Sequence, residues 1–160
     1  MKKITLFVAI CFAFTACNFS AGSKKDLVSG LSVSYNGFTI GEAGLINDRG
    51  ERTTINQVAV GKTIAIVVDD VSNYELKDGR AFPGLDLQLT DKDDVVVLEG
   101  KDILKDDAGY APADASTIKG TITAGNPLKA GQTYHAKMHV YDKLKPKSEI
   151  DVKVDIIITE

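Results

Sequence analysis

Apolar and polar residues alternate one by one along several separate segments of this 160-residue chain. The two longest runs place apolar side chains at every second position: Ile150, Val152, Val154, Ile156 and Ile158, and Tyr134, Ala136, Met138 and Val140. Because successive side chains of a β-strand point to opposite faces of a sheet, this period predicts strands with one buried and one solvated face. No segment shows a long helical period.

Turn-forming residues separate these segments. Asn36-Gly37, Asp78-Gly79, Pro83-Gly84 and Asn126-Pro127 are pairs of this kind. Shorter strands are predicted at residues 31–40, 52–60, 64–68, 85–89, 94–100 and 118–122, with a single helical turn within 101–107. Seven or more short strands with turns between them predict an all-β chain that folds as one antiparallel β-sandwich. The long segment before Thr63 predicts an added edge hairpin.

The stretch PLKAGQTYHAKMHVYD resembles the penultimate strand of immunoglobulin-like and fibronectin type III-like domains. In those families a Leu, a Gly and a Tyr at this spacing mark the crossing between the sheets, and here they are Leu128, Gly131 and Tyr134. The resemblance implies that the Tyr134 ring packs inward while its hydroxyl bonds to backbone upstream. The chain has no tryptophan and lacks the cysteine pair of antibody-type domains.

The first residues have the composition of an export signal. Lys2 and Lys3 precede an apolar run at residues 4–14, in which Thr5 is the only polar residue. A bilayer core of about 30 Å requires about 20 helical residues, so this run is too short to span it. A basic start, a short apolar core and small residues after it are typical of a secretory signal peptide.

The four residues Phe14-Thr15-Ala16-Cys17 resemble the lipobox of bacterial lipoproteins. The resemblance implies that Cys17 carries a diacylglycerol, that the signal is cleaved before it, and that the new amino terminus is acylated. Cys11, the other cysteine, would be removed with the signal. We therefore expect a signal peptide at 1–16, a lipidated cysteine and flexible tether at 17–26, and a β-sandwich domain at 27–160. Plain secretion is the alternative.

The residues after Cys17 bear on where the lipid is inserted. Asn18 differs from the aspartate that retains such lipoproteins in the inner membrane. The first charged residues are Lys24 and Lys25, whereas acidic residues favour surface display. The resemblance therefore implies attachment to the outer membrane, facing the periplasm.

The two histidines, His135 and His139, have the i, i+4 spacing that joins two metal ligands on a helix. In the alternating strand predicted here, four residues span about 13 Å. Two ligands of one zinc ion each lie about 2 Å from it, so a shared metal is not expected. We predict no cofactor.

Acidic turns offer an alternative site, for calcium. Asp91, Asp93 and Asp94 lie in one predicted turn, and calcium takes six to eight oxygen ligands. The turn lacks the fixed spacing of an EF-hand loop, and Lys92 would oppose a cation. Paired carboxylates also leave a small hydrolase as a further alternative, although the chain contains no G-x-S-x-G, P-loop or G-x-G-x-x-G sequence.

Aromatic residues near predicted turns are the candidate binding residues. Phe82 and Tyr110 lie in the most irregular segments of the chain, and Tyr74 is a further aromatic residue of this kind. Tyrosine and phenylalanine rings are suited to anchoring a protein partner or stacking on a sugar. The competing interpretation is that each ring covers the edge of the core under a loop.

These features together predict a membrane-anchored, non-catalytic lipoprotein that is a binding or assembly module for another cell-envelope protein. An anchored domain meets a nearby partner at high effective concentration, so a modest affinity is sufficient. The formal net charge of −3 argues against a nucleic-acid partner, because phosphate binding requires a basic face. A carbohydrate- or calcium-binding lipoprotein is the alternative function.

Overall fold

The computed structural model describes residues 20–160, in which eleven β-strands form two sheets. The strands are β1 (Ala21–Lys25), β2 (Ser32–Asn36), β3 (Ala43–Ile46), β4 (Arg52–Thr53), β5 (Gln57–Ala59), β6 (Thr63–Val68), β7 (Pro83–Thr90), β8 (Val96–Gly100), β9 (Ile118–Thr123), β10 (Thr133–Asp142) and β11 (Glu149–Thr159). The described chain has one short 3₁₀-helix, Asp114–Ser116, and no α-helix.

The larger sheet has seven strands in the order β1-β2-β11-β10-β7-β8, with β5 added in parallel to β11. The smaller sheet has the order β4-β3-β6-β9. All pairings other than that of β5 are antiparallel. A hairpin of β3 and β4 forms one edge of the smaller sheet, where the sequence predicted an added hairpin before Thr63.

One hydrophobic core lies between the two sheets. Its largest fully buried side chains include Ile66 of β6, Leu85 of β7, Ile122 of β9, Met138 of β10 and Ile156 of β11. The sheets approach closely at Gly120, where an added Cβ would come within 2.9 Å of the Met138 sulfur. The antiparallel β-sandwich predicted from the alternating pattern is confirmed.

The contact implied for Tyr134 is present. The Tyr134 side chain is buried, and its hydroxyl accepts the backbone N–H of Lys129 at 2.9 Å. Leu128 is also buried. Gly131 adopts a φ of +77°, a backbone conformation that residues other than glycine rarely adopt. This arrangement closes the loop between the smaller sheet and β10.

Two segments differ from the sequence prediction. Residues 21–25, expected within a flexible tether, form β1, which pairs with β2 at the edge of the larger sheet. Both faces of this edge strand are largely exposed, so no alternation marks it. The helical turn expected within 101–107 is absent, because Asp102 and Ile103 donate backbone N–H groups to Asp86 Oδ1 and to the Leu85 carbonyl of β7.

The register of the larger sheet defines two ends of the sandwich. Ala21, the first residue of β1, pairs with Asn36, which pairs with Glu149 at the start of β11. Glu149 pairs with Tyr141, and Tyr141 with Gly84 near the start of β7. We call this the proximal end; it carries the loops at 37–42, 69–82, 101–117 and 143–148. The distal end carries those at 26–31, 47–51, 60–62, 91–95 and 124–132.

We expect Tyr134→Phe to lower the free energy of unfolding by about 1 kcal/mol, since the net contribution of one such hydrogen bond is of this size. Urea denaturation of the purified protein measures the change. Tyr141→Phe is the matched control, because no hydrogen bond of the Tyr141 hydroxyl is formed among residues 20–160. Equal stability of Tyr134→Phe and the native protein would contradict a structural role for the hydroxyl.

Candidate functional site

The outer side of β7, β10 and β11 carries a row of ionisable side chains, which we call the histidine face. His135, Lys137 and His139 project outward from β10 at alternate positions. His135 pairs in register with Asp155 of β11, and His139 pairs with Asp151. Polar contacts between side chains directly across an antiparallel pair stabilise it, so these residues also hold β10 and β11 together.

Close contacts join the members of these pairs. His135 Nδ1 lies 2.7 Å from Asp155 Oδ1, and His139 Nδ1 lies 3.0 Å from Asp151 Oδ1. Lys137 Nζ lies 3.2 Å from the same oxygen of Asp151. Each histidine therefore has its own aspartate, and the arrangement differs from two imidazoles that share one metal ion. Among residues 20–160 no group of three or more His, Cys, Asp and Glu side chains could hold a metal ion.

The hydrogen bond to Asp155 raises the pKa of His135 above its ordinary value of 6.5. Desolvation by neighbouring atoms opposes this shift, while the charges of Asp155, Asp94 and Asp91 add to it. A raised folded-state pKa means that the pair stabilises the folded chain below about pH 6.5. This contribution disappears as the pH rises through the folded-state pKa.

We expect Asp155→Asn to return the pKa of His135 toward 6.5, because the amide removes the hydrogen-bonded charge that favours the imidazolium. Titration of the imidazole proton resonances by NMR measures both histidines in one experiment. Asp151→Asn is the matched control, since Asp151 contacts His139 and Lys137 instead. A His135 pKa that falls equally in both variants would show that the shift has another source.

Two shallow hollows lie on the histidine face. One, of about 490 Å³, is lined by residues that include Gln88, Thr90, Asp94, His135 and Lys153. The other, of about 190 Å³, lies between β10, β7 and β8 and is lined by Asp86, Leu87, Gln88, Glu99, Lys137 and His139. Both hollows contain charges of both signs and open broadly to solvent.

The structure brings Phe82 and Tyr110 together at the proximal end. Ala81 and Tyr110 exchange two backbone hydrogen bonds of 2.9 and 2.8 Å, which place Phe82 beside the segment that contains Tyr110. The Phe82 ring covers Gly109, where an added Cβ would come within 2.8 Å of it. Both side chains are half-buried, so part of each remains accessible.

Tyr74, the third predicted binding residue, packs on the core. Its ring meets Phe38 edge to face with centroids 5.0 Å apart, and its hydroxyl donates to the Ala115 carbonyl at 2.9 Å. Burial, with a smaller effect of Asp142, raises the pKa of the Tyr74 hydroxyl well above its ordinary value. Tyr74 therefore covers the core under a loop.

Two further aromatic rings lie over glycines of the neighbouring strand. Tyr35 covers Gly22 of β1, and Tyr141 covers Gly84 of β7. In both pairs an added Cβ would overlap the ring, so the ring replaces side-chain packing that glycine cannot provide. Tyr141 also stacks on His139 with centroids 5.5 Å apart. These rings stabilise strand pairs, which gives them a role other than sugar stacking.

The aspartates predicted as calcium ligands organise the turn between β7 and β8. Asp91 Oδ1 accepts the backbone N–H groups of Asp93 and Val95 at 2.9 and 3.0 Å. Asp93 contacts Lys92 at 2.6 Å, and Asp94 adopts a φ of +59°. The oxygens of Asp91 and Asp93 thus serve their own loop, which accounts for the acidic cluster without an ion.

Asp142 is a structural residue that the sequence analysis missed. It is fully buried at the end of β10. Its carboxylate accepts the N–H of Glu75 at 2.6 Å and that of Leu144 at 3.0 Å. The alternation that buries every second residue of β10 from Tyr134 continues to position 142. A carboxylate on that buried face was therefore a signal in the sequence, although the fold was needed to show that it joins two loops of the proximal end.

We expect Asp142→Asn to lower the free energy of unfolding by about 1–3 kcal/mol, because one of the two part-buried N–H groups loses its acceptor. Thermal and urea unfolding measure the loss. Asp107→Asn removes the same charge at an exposed position of the same end and provides the control. A variant at position 142 that unfolds like the native protein would show that water replaces the carboxylate.

Cys17 lies outside the residues that the structure describes. Within residues 20–160 no helix is long and apolar enough to cross a membrane. The chain matches no protein-family model, and no curated protein is similar to it in sequence. The function must therefore be argued from the residues and the surfaces of the sandwich.

Proposed function

We propose that the chain is a lipoprotein of the bacterial cell envelope, held by a lipid on Cys17, and that its β-sandwich is a non-catalytic binding module for another envelope protein. The observation that carries the proposal is the short interval between Cys17 and the sheet. The lipobox-like sequence ends only three residues before Ser20, whose carbonyl already accepts the N–H of Gly37 at 2.7 Å.

The short interval between Cys17 and Ser20 keeps the domain close to the lipid anchor. Three residues span at most about 10 Å, so the sandwich stays next to the membrane surface. A partner in the same membrane then meets the domain at an effective concentration far above its average in the compartment, and a modest intrinsic affinity suffices. Outer-membrane attachment facing the periplasm is the location that we propose.

The histidine face is the surface that best supports a protein partner. It extends across β7, β10 and β11, with roughly half of the His135 and Lys137 side chains exposed, at 49% and 46%. Its shallow hollows contrast with small-molecule sites, which bury about 70–90% of a ligand. A protein interface buries about 800 Å² on each partner and accepts a broad polar surface of this kind.

The first experiment tests the anchor. We expect intact-mass analysis of the purified mature protein to show an acylated Cys17 at the amino terminus, and Cys17→Ser to move the protein from the membrane fraction to the soluble fraction. An unmodified Cys17, or cleavage elsewhere, would remove the basis for tethering.

The second experiment tests the histidine face as the partner surface. We expect one envelope protein to co-purify with the native lipoprotein in a fixed ratio, and Lys137→Glu to weaken that binding about tenfold or more, since like charges across an interface are strongly unfavourable. Lys119→Glu introduces the same change on the exposed side of β9 and is the control. Equal recovery of the partner by both variants would place the interface elsewhere.

A further inference from the structure

The loop between β10 and β11 lies beside the point where the chain enters the sandwich. The Ser20 carbonyl accepts the N–H of Gly37. Asn36, which precedes Gly37, donates its side-chain amide to the Lys147 carbonyl at 3.0 Å. Gly37 itself packs on Ser148, since an added Cβ there would overlap that side chain. We call residues 143–147, Lys-Leu-Lys-Pro-Lys, the basic turn.

The basic turn presents cations and one apolar side chain to solvent. Lys145 and Lys147 are exposed, and neither has an ion-pair partner among residues 20–160. Leu144 lies between the lysines and is 39% exposed. Lys143 differs, because its ammonium contacts Asp102 at 2.7 Å and the Leu104 carbonyl at 3.0 Å.

The backbone holds this turn in one shape. The buried Asp142 carboxylate accepts the Leu144 N–H, and the Asp142 carbonyl accepts the Lys145 N–H at 3.1 Å. Ser148 then donates its N–H to the Lys145 carbonyl at 2.8 Å. Lys145, Leu144 and Lys147 are therefore displayed by a fixed turn, with little backbone ordering left to occur on binding.

We infer that the basic turn docks on the anionic headgroups of the membrane that holds the lipid, and so fixes the sandwich with its proximal end toward the bilayer. This inference rests on the proposed acylation of Cys17. Cys17 is three residues, at most about 10 Å, from Ser20, so an inserted lipid brings the proximal end to the headgroup layer. Lys145 and Lys147 then bind lipid phosphates while Leu144 enters the interface.

The distribution of charge also sets a tilt. The loops that lead into β7 and follow β8, residues 69–82 and 101–117, together contain eight acidic and four basic residues and so have a formal net charge of −4. In the larger sheet these strands lie on the far side of β10 from β1, whereas the basic turn joins β10 to β11, next to β2. The sandwich thus leans with its β1–β2–β11 side toward the headgroups and its acidic loops away from them.

The chain contains no tryptophan, so a single introduced tryptophan reports on its own surroundings. We expect Leu144→Trp in the acylated protein, reconstituted in vesicles of phosphatidylethanolamine and phosphatidylglycerol, to show blue-shifted emission and quenching by brominated lipids. Leu27→Trp, at an 85% exposed position of the distal end, is the matched control and stays unquenched. Equal quenching, or none, at the two positions overturns the proposed orientation even when the mass of the protein confirms acylation.

The headgroup contact is tested apart from the anchor with the mature Cys17→Ser protein. We expect the double variant Lys145→Glu and Lys147→Glu to reduce its partition onto phosphatidylglycerol vesicles at least twenty-fold. Each lysine near an anionic surface raises the partition coefficient about fivefold. Lys25→Glu with Lys129→Glu, at the distal end, makes the same charge change without this loss. Equal partition of the two double variants overturns the headgroup contact. If the variant of the basic turn still binds vesicles but no longer co-purifies with the envelope protein, the turn belongs to a protein interface and the headgroup contact is likewise overturned.

Discussion

The register of β10 between β7 and β11 is the constraint on which the rest of the structure depends. It buries Tyr134, Met138 and Val140 against the smaller sheet and turns His135 and His139 outward. Because the side-chain period of a strand is two, a slip of one residue would exchange these sets and bury the charged row. The aspartates of β11 oppose that slip, since each lies directly across from a histidine. The same pairing therefore specifies both the core and the candidate binding surface.

The two ends of the sandwich are built by different means. At the distal end, Tyr134 bonds the Lys129 backbone and Asp91 caps its own turn, while distant loops meet through backbone groups, as where Gly61 donates its N–H to the Ala124 carbonyl. At the proximal end, loops distant in sequence meet, and the buried carboxylate of Asp142 serves two of them. A buried carboxylate is costly unless its oxygens are satisfied, so the positions of these loops are coupled through one side chain. The basic turn is held in its shape by the same carboxylate, which accepts the Leu144 N–H.

Strands that bury one face could be predicted from the sequence, and so could the Tyr134 contact, because both leave a local pattern. Edge strands such as β1 could not, since neither face is buried and no alternation results. Aromatic residues were the least predictable: Tyr141 and Gly84 are far apart in the chain, and only their pairing shows that the ring covers the glycine. The acidic turn was ambiguous for a related reason, because carboxylates that cap backbone and carboxylates that bind calcium have the same composition.

The two proposed contacts divide the surface of the sandwich without competing for it. With the proximal end toward the lipid and the sandwich tilted onto its β1–β2–β11 side, Phe82 and Tyr110 lie in the loops that lean away from the headgroups, and the histidine face extends along β7, β10 and β11. A partner in the same membrane can then approach from the side and meet a surface whose orientation is already fixed. Restricting rotation in this way lowers the entropy cost of association, in addition to the gain in effective concentration from the anchor. Under these two proposals a shallow, polar face is sufficient for a specific contact, because the lipid and the basic turn orient it before the partner arrives.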